Sequence, residues 1–226
     1  MLIQRVSAAS FMAAAVLALV SLPASAQLSV GLSAYGAFSG TTTANGTQQS
    51  PANQAGGLIE LRHISNPIFG FEGTYSFNRA NETYHTNLAG VFCPSSGCSI
   101  STETVRSNAH EVTADWVPSL HIANFRPFGV LGVGLLVDVP SESQATVTTQ
   151  YPPTASASTT TSSTKTSYKP VYVYGAGLDW GLLPHLGLRL QYRGNLYSAP
   201  NVTSLFSSTN TFTHTAEPMI GVYFSL

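Results

Sequence analysis

Eight stretches of this chain alternate apolar and polar residues with a period of two, and almost every charge inside them falls on the polar parity. A period of two is strand geometry, because successive side chains point to opposite faces. The stretches are "QLSVGLSAYGAF" (27–38), "GLIELRHI" (57–64), "IFGFEGTYSFN" (68–78), "AHEVTADWV" (109–117), "PFGVLGVGLLV" (127–137), "VYVYGAGLDW" (171–180), "LGLRLQYRGNLY" (186–197) and "TFTHTAEPMIGVYFSL" (211–226). The last runs its alternation to the final residue, with Ile220, Val222, Phe224 and Leu226 on one parity. Eight two-faced strands need either a shared core or an apolar solvent.

Composition selects the solvent. Only 8 % of the residues are charged, against about a quarter in an ordinary soluble domain, while 43 % are hydrophobic. Residues 1–26 have the layout of a secretory signal: Arg5, an apolar run from Phe11 to Val20, Pro23, then Ala24-Ser25-Ala26. Cleavage is expected after Ala26, leaving 27–226 as one domain. Without Arg5 the remaining chain carries 8 basic and 10 acidic groups, a balance that does not point to nucleic acid. Beyond residue 26 no run approaches the roughly 20 apolar residues of a spanning helix. A closed barrel is the other structure that satisfies its backbone in lipid.

The connections support that choice. Those at 65–67, 118–124 and around Pro184-His185 are short, and those near 40–56, 79–107, 139–169 and 198–210 are long, in strict alternation. Short periplasmic turns alternating with long outer loops is the transmembrane pattern. The fold expected is all-β: an eight-stranded antiparallel transmembrane β-barrel, monomeric, with no domain after the last strand. Residues 139–169, which include "SASTTTSSTKTS", have few apolar groups. They read as a solvated loop rather than as a threonine-rich ribbon extending two strands.

With the apolar parity toward lipid, the charges fall inside: Glu60, Arg62, Glu72, Glu111, Asp115, Asp179, Arg189, Arg193 and Glu217. Eight strands leave a lumen that side chains nearly fill. A paired network is therefore favoured over a narrow water or ion path, because unpaired buried charge is costly. Gly132, Gly134, Gly175 and Gly177 are expected to make room for Arg189 and Arg193. Phe69, Trp116, Trp180 and Phe224 face outward at the short-turn end, as a periplasmic aromatic girdle would.

Other chemistry is sparse. Cys93 and Cys98, in "CPSSGC" within the second long connection, read as a disulfide in an exported protein. The rival is a metal site with His85 and His110 nearby, which two thiols without a close His pair make weak. His63-x-Ser65 is the one pair that could suggest a nucleophile and base, but no acid shares its face. His110 and His214 read as interfacial aromatics. "GVLGVG" lies in strand context and is no phosphate loop. No cofactor and no metal are expected.

The signal segment, the eight strands, "RHISNPIFGFEGTYSFNR", "RPFGVLGVGLLV", "YGAGLDW", "LRLQYRGNLY" and "EPMIGVYFSL" together resemble the small outer-membrane β-barrel (porin-like, opacity-type) proteins of Gram-negative bacteria. The resemblance covers essentially all of 27–226. It implies residence in outer-membrane lipid and insertion by the barrel-assembly machinery, which in that family reads a final strand ending on an aromatic residue. This chain departs in ending on Leu226, with Phe224 two residues earlier, so recognition is expected to survive, though less strongly. Members serve as adhesins, host-factor binders or envelope-stabilising proteins. A structural or surface-interaction role through the outer loops, with an unidentified surface ligand, is therefore the leading expectation. A small-solute or ion pore is the alternative, and a lipid-modifying enzyme the third.

Overall fold

The computed structural model describes residues 27–86, 99–150 and 157–226. The segment 1–26, with its expected cleavage site, and Cys93 and Cys98 lie outside the described residues.

Eight strands close into a barrel: β1 (Gln27–Ser39), β4 (Gln54–Ile64), β5 (Gly70–Arg79), β8 (Ser107–Trp116), β9 (Phe125–Pro140), β12 (Ser167–Gly181), β13 (Leu186–Ser198) and β14 (Phe212–Ser225). Neighbours pair antiparallel all the way round, and β1 pairs with both β4 and β14. These are the eight alternating stretches. Closure removes the open edges that lipid cannot solvate. The β1–β14 ladder runs from Ser29↔Ser225 to Ser39↔Thr215 and is interrupted at Gly36 and Ala37, opposite Glu217 and Pro218. Pro218 has no N–H to give to β1. Leu226 N still donates to Leu28 O at 2.8 Å, so the alternation persists to the last residue because its ladder does.

The three short connections lie at one end. In the first, Asn66 Oδ1 accepts from Ile68 N and Phe69 N at 3.0 and 2.9 Å, a turn closed by its own side chain.

At the other end the reading of long loops needs correction. The first three long connections contain β2 (Thr42–Ala44) with β3 (Thr47–Pro51), β6 (Glu82–Thr86) with β7 (Ile100–Val105), and β10 (Gln144–Gln150) with β11 (Ala157–Ser163). They pair side by side in a six-stranded sheet of order β11-β10-β7-β6-β3-β2. Within 139–169, β10 and β11 therefore form a threonine-rich ribbon and not a solvated loop. It folds because Ala145 and Val147 give β10 a buried face. Asn45 and Gly46, with φ of 51° and 70°, make the two-residue turn between β2 and β3.

Candidate functional site

The lumen and the space above it form one polar-to-apolar column. All nine charged residues assigned to the inner parity are buried, and they fall in two groups. Near the short-turn end, Arg62 Nε donates to Glu72 Oε2 at 2.6 Å and Arg62 Nη1 to Asp179 Oδ2 at 3.2 Å. Arg189 grips Asp179 with two bonds, of 2.6 and 2.7 Å, and also pairs with Glu60. Two-pronged arginine–carboxylate contacts fix geometry as well as charge. The Phe128 ring lies 4.0 Å from Arg62 Cζ and 5.2 Å from Arg189 Cζ. That aromatic face adds cation–π attraction and fills the layer.

Higher up, Arg193 donates to Asp115 Oδ2 at 3.1 Å, Glu111 Oε1 at 3.3 Å and Thr113 Oγ1 at 2.9 Å. Asn195 Nδ2 donates to Glu111 Oε2 at 3.0 Å. Glu217 belongs to this level, and among the described residues its Oε2 has no hydrogen-bond partner. Sequence reasoning missed Asp138, one residue past the stretch it counted. Asp138 is 2 % exposed, and its Oδ2 is likewise unpartnered among the described residues. Both carboxylates line a cavity of about 40 Å³ together with Glu111, Asn195 and Glu82, enough room for water.

The glycine expectation needs revision. A Cβ at Gly132 would strike the Asp115 carboxylate, and one at Gly177 the Phe128 ring. Gly134 and Gly175 clear the backbone of neighbouring strands, Val112 and Tyr192, before any arginine side chain. The missed signal is Phe128: extending the parity of Val130 by two residues places it inside.

The fourth long connection, 199–211, caps the column. Its Val202 and Thr203 are 0 % exposed. Val202 and Phe206 pack with Tyr84, Val105 and Ala145 from the inner face of the six-stranded sheet. Tyr84 and Phe206 stack with centroids 5.8 Å apart. The segment also joins the sheet's two edges. Lys165 N donates to Val202 O and Ser204 N to Ser163 O on the β11 side. On the β2 side, Thr42 and Thr209 hydroxyls meet at 3.1 Å. Beneath it, Gln49 Nε2 donates to Glu82 Oε2 at 3.0 Å and to Pro200 O at 2.7 Å. Burial raises the Glu82 carboxyl to about 8; the Gln49 bond opposes this and nearby Asp138 adds to it. Glu103, fully buried, accepts from Thr203 Oγ1 at 2.6 Å. None of these contacts was visible as a motif.

Phe69, Trp116, Trp180 and Phe224 are exposed on the outer wall near the short turns. Trp116 Nε1 donates to Ile68 O at 2.7 Å, and Trp180 stacks on Phe125. His63 and Ser65 are hydrogen-bonded at 3.0 Å, but His63 Nδ1 has no partner among the described residues, so no acid orients the ring. His110 and His214 are bonded to tyrosine hydroxyls, of Tyr75 and Tyr174, at 2.9 Å each. Among the described residues no group of three or more His, Cys, Asp or Glu could hold a metal ion.

The family model for the outer membrane protein beta-barrel domain matches residues 12–217. Among solved structures, the attachment invasion locus protein Ail of Yersinia pestis is 15 % identical, with 89 % of this chain and 99 % of that chain covered and a TM-score of 0.44. Neisserial surface protein A is 15 % identical over 87 % and 96 %, with a TM-score of 0.43. OprG of Pseudomonas aeruginosa is 12 % identical over 90 % and 96 %, with a TM-score of 0.46. No curated protein matches in sequence.

Proposed function

The chain belongs to the outer membrane protein β-barrel domain family, and from that premise we propose that it works at the cell surface as a non-enzymatic structural or adhesin-like protein. The observation that carries this reading is the cap. Residues 199–211 are folded into the outer extension above a lumen already occupied by arginine–carboxylate pairs. An adhesin-like surface benefits from such order, because loops tied into a sheet lose less entropy on binding than free ones. The surface ligand, membrane insertion by the assembly machinery and a monomeric state belong to the same proposal.

The second reading, a small-ion pore, draws on the excess of acids. Six carboxylates of the nine inner charges face three arginines, and Asp138 adds a seventh. Conductance of the refolded mature protein in a planar bilayer separates the two. Silence is expected. A steady current that changes with Arg189→Ala would overturn the surface reading in favour of the pore.

A further inference from the structure

The outer wall changes chemistry in three layers. Residues that share one parity along β8 and β7 show it: Val112, His110, Asn108, Arg106, Thr104 and Thr102, from mid-barrel outward. The matching path along β5 and β6 reads Tyr75, Phe77, Arg79, then Thr83 and His85. Val112 is 58 % exposed and suits lipid. The threonines above it suit a hydrated, uncharged neighbour. Between the two layers stand two exposed guanidinium groups.

Arg79 and Arg106 line one cleft of about 610 Å³ on this wall, with Asn81, Asn108, Ser141 and Glu142. Among the described residues neither arginine has an ion-pair partner. The strand ends below them are tied by Ala80 N→Ser107 O at 2.9 Å and Ser141 N→Arg106 O at 2.8 Å. The cleft is thus a preformed polar recess, immediately outside the apolar band, with two cations against one carboxylate. The anion at that depth in a bilayer is a lipid phosphate, and arginine meets phosphate with paired, planar hydrogen bonds.

Above the cleft, the outward face of the six-stranded sheet carries no Asp, Glu, Lys or Arg. One row runs in register across five strands: Gln48, His85, Thr102, Thr148 and Thr159. Large aromatic anchors, which centre protein–protein interfaces, are missing from this face. It continues the lipid-facing wall, so the nearest molecules are those standing beside the barrel in the same leaflet. Hydroxyl and amide side chains in a registered row match sugar hydroxyls.

We propose that this wall binds the phosphorylated glycolipid of the surrounding outer leaflet, with a phosphate at Arg79 and Arg106 and the sugar chain along the threonine face. The site lies on the outside of the barrel and does not depend on what the loops bind at the cell surface.

The test uses the refolded mature protein in detergent micelles and fluorescently labelled lipopolysaccharide, followed by anisotropy. Arg79→Gln with Arg106→Gln is expected to weaken binding roughly thirtyfold, at about one kcal/mol per cation. Dephosphorylated lipopolysaccharide should bind the unaltered protein equally weakly. Thr102→Val with Thr148→Val should cost roughly threefold, and only when the labelled lipid carries its sugar chain. Lys165→Gln, an exposed charge elsewhere on the extension, should change nothing. Equal binding by the unaltered protein and the double-arginine variant overturns the proposal. So does an effect of Lys165→Gln as large as theirs, which would mean unspecific attraction. Heat-dependent gel mobility checks that each variant folds.

Discussion

The barrel and its outer extension are built from one chain in one strand geometry, yet their outward faces differ in polarity, apolar on the barrel and rich in hydroxyls and amides on the extension. In the lower part of β8 the outward residues are Val112, Ala114 and Trp116, and the inward ones include Glu111 and Asp115. In β7, a few residues away, Thr102 and Thr104 face outward while Val105 is buried inside. The two regions also close differently. The barrel closes by pairing β1 with β14, whereas the sheet above is closed by the 199–211 segment, which bridges its edges through backbone and hydroxyl contacts. The difference teaches that the surroundings set the pattern. Where lipid is the solvent, apolar groups go out and charges pair inside. Where water is the solvent, the same wall hides its apolar groups under a cap.

That contrast can be broken from the inside first. Arg189→Ala should destabilise the barrel by about 3–5 kcal/mol, because Glu60 loses its ion-pair partner in a buried site and Asp179 keeps only Arg62. Urea unfolding in vesicles reads it; a loss below 1 kcal/mol would mean that the inner pairs are solvated. Phe206→Ala removes the stacking partner of Tyr84 and should cost about 3 kcal/mol, confined to the extension. Hydrogen exchange should then open β6, β7 and β10 while the β1–β14 ladder keeps its protection. Loss of protection in both regions would mean that they unfold as one unit.

The outside gives a matched pair. Val112→Arg should cost about 2–4 kcal/mol as a charge facing the hydrocarbon. Thr104→Arg, on the same parity of the same arm, should stay within about 0.5 kcal/mol. Equal costs would place the membrane boundary elsewhere. The smallest effect concerns pH. Glu82 is a carboxyl whose folded pKa, about 8, lies above its ordinary value of 4.5. Its folded state holds a proton that the unfolded chain releases, so the extension loses stability as pH rises from about 4.5 through 8 and is firmest below that window. Protection factors in β6, corrected for the pH dependence of intrinsic exchange, should fall across the window and become flat in Glu82→Gln.

The sequence alone determined the barrel. Its eight strands were legible because each carries a full period-two pattern, and lipid on one side with a charged lumen on the other makes that pattern strong. The strand charges sorted themselves by parity for the same reason. The outer sheet was far less legible. Its strands are three to seven residues long and rich in Thr, Ser and Gln, so their alternation is one small apolar group against one hydroxyl, as with Ala145 and Val147 between Thr146 and Thr148. Asn45-Gly46 was the local hairpin signal that could have revealed its first turn. Only the tertiary structure decided which acid each arginine holds, that Phe128 lies beneath Arg62, that Gly132 and Gly177 clear Asp115 and Phe128, and that residues 199–211 cap the column. Those outcomes join residues up to 167 positions apart in the chain. Parity assigns a side chain to a face, whereas its partner across the lumen depends on strand stagger and on closure of the whole ring.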